Sequence, residues 1–289
     1  MFFSDEDCEL FNEENKYSLD KKICEKRQIL HKKLCRLHGE LYLNTSGLTL
    51  KKKLEKDLGL HCHPLKNHLT NEFIPRLPNS EVNHIRLSYG YSKEDINKIK
   101  KNNTELAKDI TFTHLTQLQF FIDCDGCCTC CYIDKSDILG QAELRKILKS
   151  PTDRSFLIDL LHSLITQEFE IYYGFYDNFE YFDYDSFRNH NLHKNDVSCF
   201  IQNFIQKLEK NYEYVFYFKV CRTYFIDVDD STILRRCYTE NATLIPFSDK
   251  AIENTYCGIA QMIIDDFSLL IRLFRSVYKE LHADRETGC

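Results

Sequence analysis

The sequence predicts an α+β fold, with a small N-terminal helical module followed by a mixed, largely antiparallel sheet domain and a long C-terminal helix. Three observations carry this expectation. Leucines recur at helical spacing before residue 75, apolar strands and helices then follow in no strict βαβ order, and an apolar stripe at helical spacing closes the chain.

The elements follow in order. Residues 1–19 read as a frayed acidic tail, because Met1-Phe2-Phe3 runs at once into Ser4-Asp5-Glu6-Asp7. That start lacks the basic flank and apolar run of a secretory signal. Residues 20–75 read as a basic helical module. Ile23, Leu30, Leu34, Leu37 and Leu41 mark one amphipathic helix, and Gly39 is a candidate end for it. Thr49 caps a second helix through Leu50, Leu54 and Leu58, stopping at Gly59, and Pro64 opens a third with Leu65, Leu69 and Phe73. Pro75 and Pro78 then separate the module from an α+β domain over residues 80–289.

In that domain, Leu118–Ile122 reads as a buried strand returning through a turn at Asp125-Gly126. Helices are expected at 140–149 and 153–166, with Pro151 between them, and a strand from Glu168 to Tyr176. Asp196 caps a helix carrying Val197, Phe200, Ile201, Phe204, Ile205 and Leu208. Tyr212–Val220 and Arg222–Val228 read as a hairpin, and Thr243–Phe247 as a further strand. The final helix spans 249–282, and its stripe serves equally for packing or for self-association.

Composition narrows the function. With 289 residues, 43% hydrophobic and 28% charged, the chain can bury a real core. No run reaches the ~18 apolar residues of a membrane span, so no membrane partner is expected. Fourteen cysteines in a long chain without an export signal indicate reduced thiols and an intracellular home, nuclear or cytoplasmic. Nine glycines, none in a phosphate-binding pattern, exclude a P-loop or dinucleotide fingerprint.

Charge is unevenly placed. Lys21 to Lys66 holds twelve Lys/Arg against four acids, a surplus of eight, leaving −14 for the rest of a chain of net charge −6. Such a stretch suits a polyanion. The expected phosphate contacts are Lys32, Lys33, Arg36, Lys51, Lys52, Lys53, Lys56 and Lys66. The run Leu48-Thr49-Leu50-Lys51-Lys52-Lys53-Leu54-Glu55-Lys56-Asp57-Leu58-Gly59-Leu60, with Lys66 and Ile74, resembles the DEK C-terminal family. That resemblance covers residues 20–75, departs at His61-Cys62-His63-Pro64, and implies a small helical bundle associated with DNA and chromatin.

The sequence also carries catalytic and metal-ligand patterns. Arg188-Asn189-His190-Asn191-Leu192-His193 resembles the Arg-polar-x3-His motif of the HEPN ribonucleases. The resemblance implies metal-independent RNA cleavage, with His193 moving a proton, Arg188 stabilising phosphorane charge and Asn189 orienting them. Cys124 and Cys127 have the spacing of a zinc knuckle, but no second Cys-x2-Cys pair lies outside the Cys124–Cys131 run. On a strand, Cys128 and Cys130 face one way and Cys127, Thr129 and Cys131 the other, as small buried residues do. Asp123 with Asp125, and Asp227 with Asp229 and Asp230, stand at strand ends, where carboxylates either hold Mg²⁺ or cap turns. The aromatic, acidic run from Phe169 to Phe187 reads as the edge of a core.

The expected function is a nucleic-acid-associated binding or adaptor protein without metal or cofactor, its basic helices meeting DNA or RNA phosphates and its acidic body a protein partner or a second copy. The alternatives are the ribonuclease and a protein-interaction subunit that never meets nucleic acid.

Overall fold

The computed structural model describes residues 2–43, 47–62, 81–102, 112–177, 180–187, 194–227, 232–238 and 244–277. It is an α+β protein, in which nine strands form one sheet and every pairing between them is antiparallel. The strands are His61–Cys62 (β1), His84–Gly90 (β2), Gln117–Asp123 (β3), Gly126–Ile133 (β4), Glu170–Asp177 (β5), Glu180–Phe187 (β6), Val215–Asp227 (β7), Thr232–Tyr238 (β8) and Leu244–Glu253 (β9). Their order is β1-β2-β3-β4-β7-β5-β6, with β8 on β7 and β9 on β8.

Strand β7 is the spine of the sheet. One edge pairs β4 from Phe218 to Tyr224; the other pairs β5 from Val215 to Cys221 and β8 from Tyr224 to Asp227. The hairpin expected to turn at Cys221 is therefore one continuous strand. Arg222, expected to open the second strand, points into the core and is ion-paired there with Asp266.

Eight helices are described: Asp5–Glu9 (α1), Lys21–Gly39 (α2), Leu50–Leu58 (α3), Lys93–Asn102 (α4), Ile138–Lys149 (α5), Pro151–Ile165 (α6), Lys194–Lys210 (α7) and Tyr256–Ser276 (α8). Asp20 caps α2, its carboxylate accepting from Lys22 N–H at 2.6 Å, and Thr49 caps α3. Gly59 closes α3 in the left-handed region (φ 64°), which glycine enters without a Cβ penalty. Helix α5 ends at Lys149, ahead of Pro151 as expected, and Pro151 is itself the first residue of α6, where its missing N–H costs nothing. Asp196 lies in the first turn of α7 rather than ahead of it.

One face of the sheet carries the core. Ile85, Leu87, Leu118, Phe120, Ile122, Ile171, Tyr173, Phe216, Phe218 and Val220 meet the apolar sides of the helices. Helix α8 lies across β3 and β4, and α2 lies on β2. Leu30, Leu34, Leu37, Leu50 and Leu54 belong to the same buried cluster as the sheet and α8. The helices expected to form a separate 20–75 module thus share one core with the 80–289 segment, their leucines packing in one cluster with the apolar face of the sheet. The third helix expected from Pro64 lies outside the described residues.

The N-terminal segment is not frayed. Asn254 accepts from Phe3 N–H at 2.9 Å and donates to the Phe3 carbonyl at 2.7 Å, and Phe3 and Phe11 are fully buried. The two apolar anchors hold the segment in place although Asp5, Glu6, Glu9, Glu13 and Glu14 remain exposed. The helix expected over 249–282 begins only at Tyr256, capped by Thr255, after the strand β9; residues beyond 277 are outside the described set. No described helix is long and apolar enough to cross a membrane.

A basic helical face and a cleft in the open sheet

The basic surplus of α2 and α3 is largely met by neighbouring acids. Lys33 pairs with Asp7 of α1 at 2.7 Å and Lys26 with Glu6 at 3.2 Å, so the acidic N-terminal segment is counter-charge for α2. Along the helices, Arg36 pairs with Glu40, Lys51 with Glu55, and Lys53 with Asp57 at 2.6 Å. Arg27 turns inward and donates to the carbonyls of Leu10 and Asn15. Lys32, Lys52 and Lys56 are exposed and make no ion pair among the described residues. Exposed i,i+4 pairs are worth only ~0.3–0.5 kcal/mol, so a phosphate can still draw Lys51 and Lys53 away from their partners. Lys66 lies outside the described residues.

The opposite face of the sheet holds a cleft of about 320 Å³. Alternation builds it: wherever one strand residue enters the core, its neighbours face the cleft. Register sets Arg86 opposite Phe121, and Phe121 opposite Cys128. In the next row Gln119 faces Cys130, which faces Cys221. In the third row Tyr132 faces Lys219, which faces Tyr172. Phe121 and Cys130 line the cleft, and with Cys128 and Cys221 they form a small apolar cluster separate from the main core. The expected division of the cysteines between two faces is thus observed, with Cys127 and Cys131 in the main core.

Lys219 occupies the centre. Its ammonium lies 4.9 Å from the Phe121 ring centroid and 5.6 Å from that of Tyr172, and it has no ion pair among the described residues. Burial works against its charge, but Cys221, Cys128, Cys130 and Asp123 raise its pKa above the ordinary lysine value. The Arg86 guanidinium stands 3.4 Å from His84 Nε2. Burial, then the Arg86 and Lys219 charges, lower the His84 pKa to about 3, so the ring is neutral at pH 7. Tyr132 and Tyr217 sit at the side, their rings 6.3 Å apart. The cleft therefore offers fixed positive charge against aromatic faces, a combination that takes an anion joined to a planar group.

Other expected sites fare differently. Arg188, Asn189 and His193 lie outside the described residues, as do Asp229 and Asp230. Asp123 and Asp125 form a capped turn, the Asp123 carboxylate accepting from Asp125 N–H at 2.8 Å. With Cys124 they form the one three-residue group of possible metal ligands among the described residues; Cys124 and Asp125 are exposed, and nothing further marks the group as a metal site. Tyr173 and Phe175 of the aromatic run stack into the core on Phe204, while Tyr172 faces the cleft. The cleft was missed from the sequence, although its signal was present: His84-x-Arg86-x-Ser88, Gln117-x-Gln119 and Tyr217-x-Lys219 are polar at alternate positions of apolar strands.

No protein-family model matches this chain, and no curated protein or solved structure matches it either. The DEK C-terminal and HEPN resemblances accordingly rest on the residues quoted for them.

Proposed function

We propose that the protein is a nucleic-acid-associated binding protein whose α2–α3 face meets phosphate. The observation that supports this reading is that Lys32, Lys52 and Lys56 stand exposed, without ion pairs among the described residues, on helices whose apolar sides are locked into the core. The rest of the chain is net acidic, so a polyanion would be held at this face alone, by phosphate contacts that carry little base preference. The acidic body would leave its partners, a protein or a second copy, on the far side. A nuclear or cytoplasmic setting belongs to the same reading.

A salt titration with labelled duplex DNA and single-stranded RNA tests it. Three phosphate contacts give a slope of log K against log salt of about −3 on duplex DNA. The Lys32→Glu/Lys52→Glu/Lys56→Glu variant is expected to lose most of that slope, whereas Lys21→Glu, at the start of α2, leaves it nearly intact. A wild-type protein that does not bind at low salt, or a triple variant with an unchanged slope, rules the reading out. RNA cut in the same assay, and left whole by His193→Ala, would replace it with the ribonuclease.

A further inference from the structure

We propose that the cleft in the open sheet face is a binding site for a single nucleotide, with phosphate at Arg86 and Lys219 and the base against Tyr132 and Tyr217. This site is independent of the α2–α3 face, which lies on the helical side of the sheet.

Four features converge on that ligand. Lys16, Lys33 and Lys53 find acids at the surface, and Lys32, Lys52 and Lys56 stand in open solvent. Lys219 instead sits in a cavity between two aromatic rings, its charge opposed by no ion-paired carboxylate among the described residues. A second cation, Arg86, lines the same cavity, and its fork can hold two phosphate oxygens at once. The tyrosine rings gather around Lys219 rather than running in a row along the strands, which provides a surface for one base and not for a track of bases. The volume, about 320 Å³, is at the small end for ligand cavities and suits one nucleotide.

Charge at the cleft disfavours a chain laid across it and still admits a single nucleotide or the end of a chain. Asp123 lines the cleft, and Asp125 is exposed two residues beyond it. A polyanion laid across the opening meets these carboxylates, whereas a lone nucleotide enters past them. The Gln119 side chain, already donating to Gln117 Oε1 at 2.9 Å, presents an amide to the cavity where base edges can be read. The nucleotide chemistry has two sources, a free nucleoside monophosphate or the phosphorylated end of a chain.

Calorimetry on the full chain distinguishes them, with the four ribonucleoside monophosphates, inorganic phosphate and a 5′-phosphorylated trinucleotide as probes. At least one monophosphate is expected to bind saturably and tenfold or more tighter than phosphate, and Lys219→Met, which keeps the chain's length without its charge, is expected to weaken it at least tenfold. Equal binding of the trinucleotide supports the site with chain ends as its source; weaker binding supports it with free nucleotides. Should Lys219→Met fail to fold, Tyr217→Ala serves instead, and is expected to weaken the nucleotide while leaving inorganic phosphate unchanged. The proposal is overturned if no monophosphate binds, if phosphate binds as tightly as every monophosphate, or if a folded Lys219→Met binds like the wild type. The Lys32/Lys52/Lys56 variant should bind the nucleotide normally, so failure of one site is not failure of the other.

Discussion

Asp266 of α8, 1% exposed at its side chain, is held by three partners from the sheet. Thr129 and Tyr224 donate their hydroxyls to one carboxylate oxygen, and Arg222 donates to the other. Arg222 also donates to the Gln167 carbonyl and lies 4.0 Å from the Phe169 ring centroid. A buried pair of this kind adds little by itself, but removing one charge strands the other. Asp266→Asn is therefore expected to destabilise the fold by ~3–5 kcal/mol in urea unfolding, and a loss below about 1 kcal/mol would show that the network tolerates a neutral partner. None of this was legible locally, since Thr129, Arg222 and Asp266 are over forty residues apart at their nearest. The caps were legible, because Asp20 and Thr49 need only their own helix's first turn.

At the scale of elements, the β3–β4 hairpin shows what local chemistry can determine. Asp125-Gly126 marked the turn in advance, and Gly126 adopts φ 127°, a backbone region open essentially to glycine. A Cβ there would also collide with the Tyr224 carbonyl of β7. Gly126→Ala is expected to lower stability by roughly 1–3 kcal/mol, seen as a drop in melting temperature. An unchanged melt would mean that the hairpin and β7 can part at little cost. Strand β2 was overlooked although Ile85, Leu87 and Tyr89 alternate with polar residues. Strand β7 was divided because its Arg222 resembles a solvent residue until Asp266 is in place. The start of α8 was set too early because apolar residues of β9 continue its pattern upstream.

At the scale of the whole molecule, two histidines couple stability to pH. His38 of α2 shares a 2.9 Å hydrogen bond with Tyr89 of β2, and burial, then Lys51, lowers its pKa to about 4. His84 is lowered to about 3. Both folded values lie below the unfolded value near 6.5, so the unfolded chain binds more protons as pH falls. Stability is thus full above pH 6.5 and declines from there toward pH 4 for His38 and pH 3 for His84. Between pH 7 and 5 the His38 contribution is on the order of 2 kcal/mol. His38→Gln should flatten the dependence of the melting temperature on pH over that range, and a profile as steep as the wild type's would assign the effect elsewhere.

The sequence by itself determined the α+β class, the uneven charge, most helices and the β3–β4 turn, because periodicity, caps and turn residues act over a few neighbours. It also determined that Cys128 and Cys130 would share a face, since strand alternation has period two. Tertiary structure alone decided that α2 and α3 share the sheet's core, that α1 neutralises part of α2, and that β7 runs unbroken. It also decided that Arg86 and Lys219, 133 residues apart in sequence, line one cavity. The reason is physical: each of these depends on which strands become neighbours, and that choice is made by the burial of the whole apolar face at once.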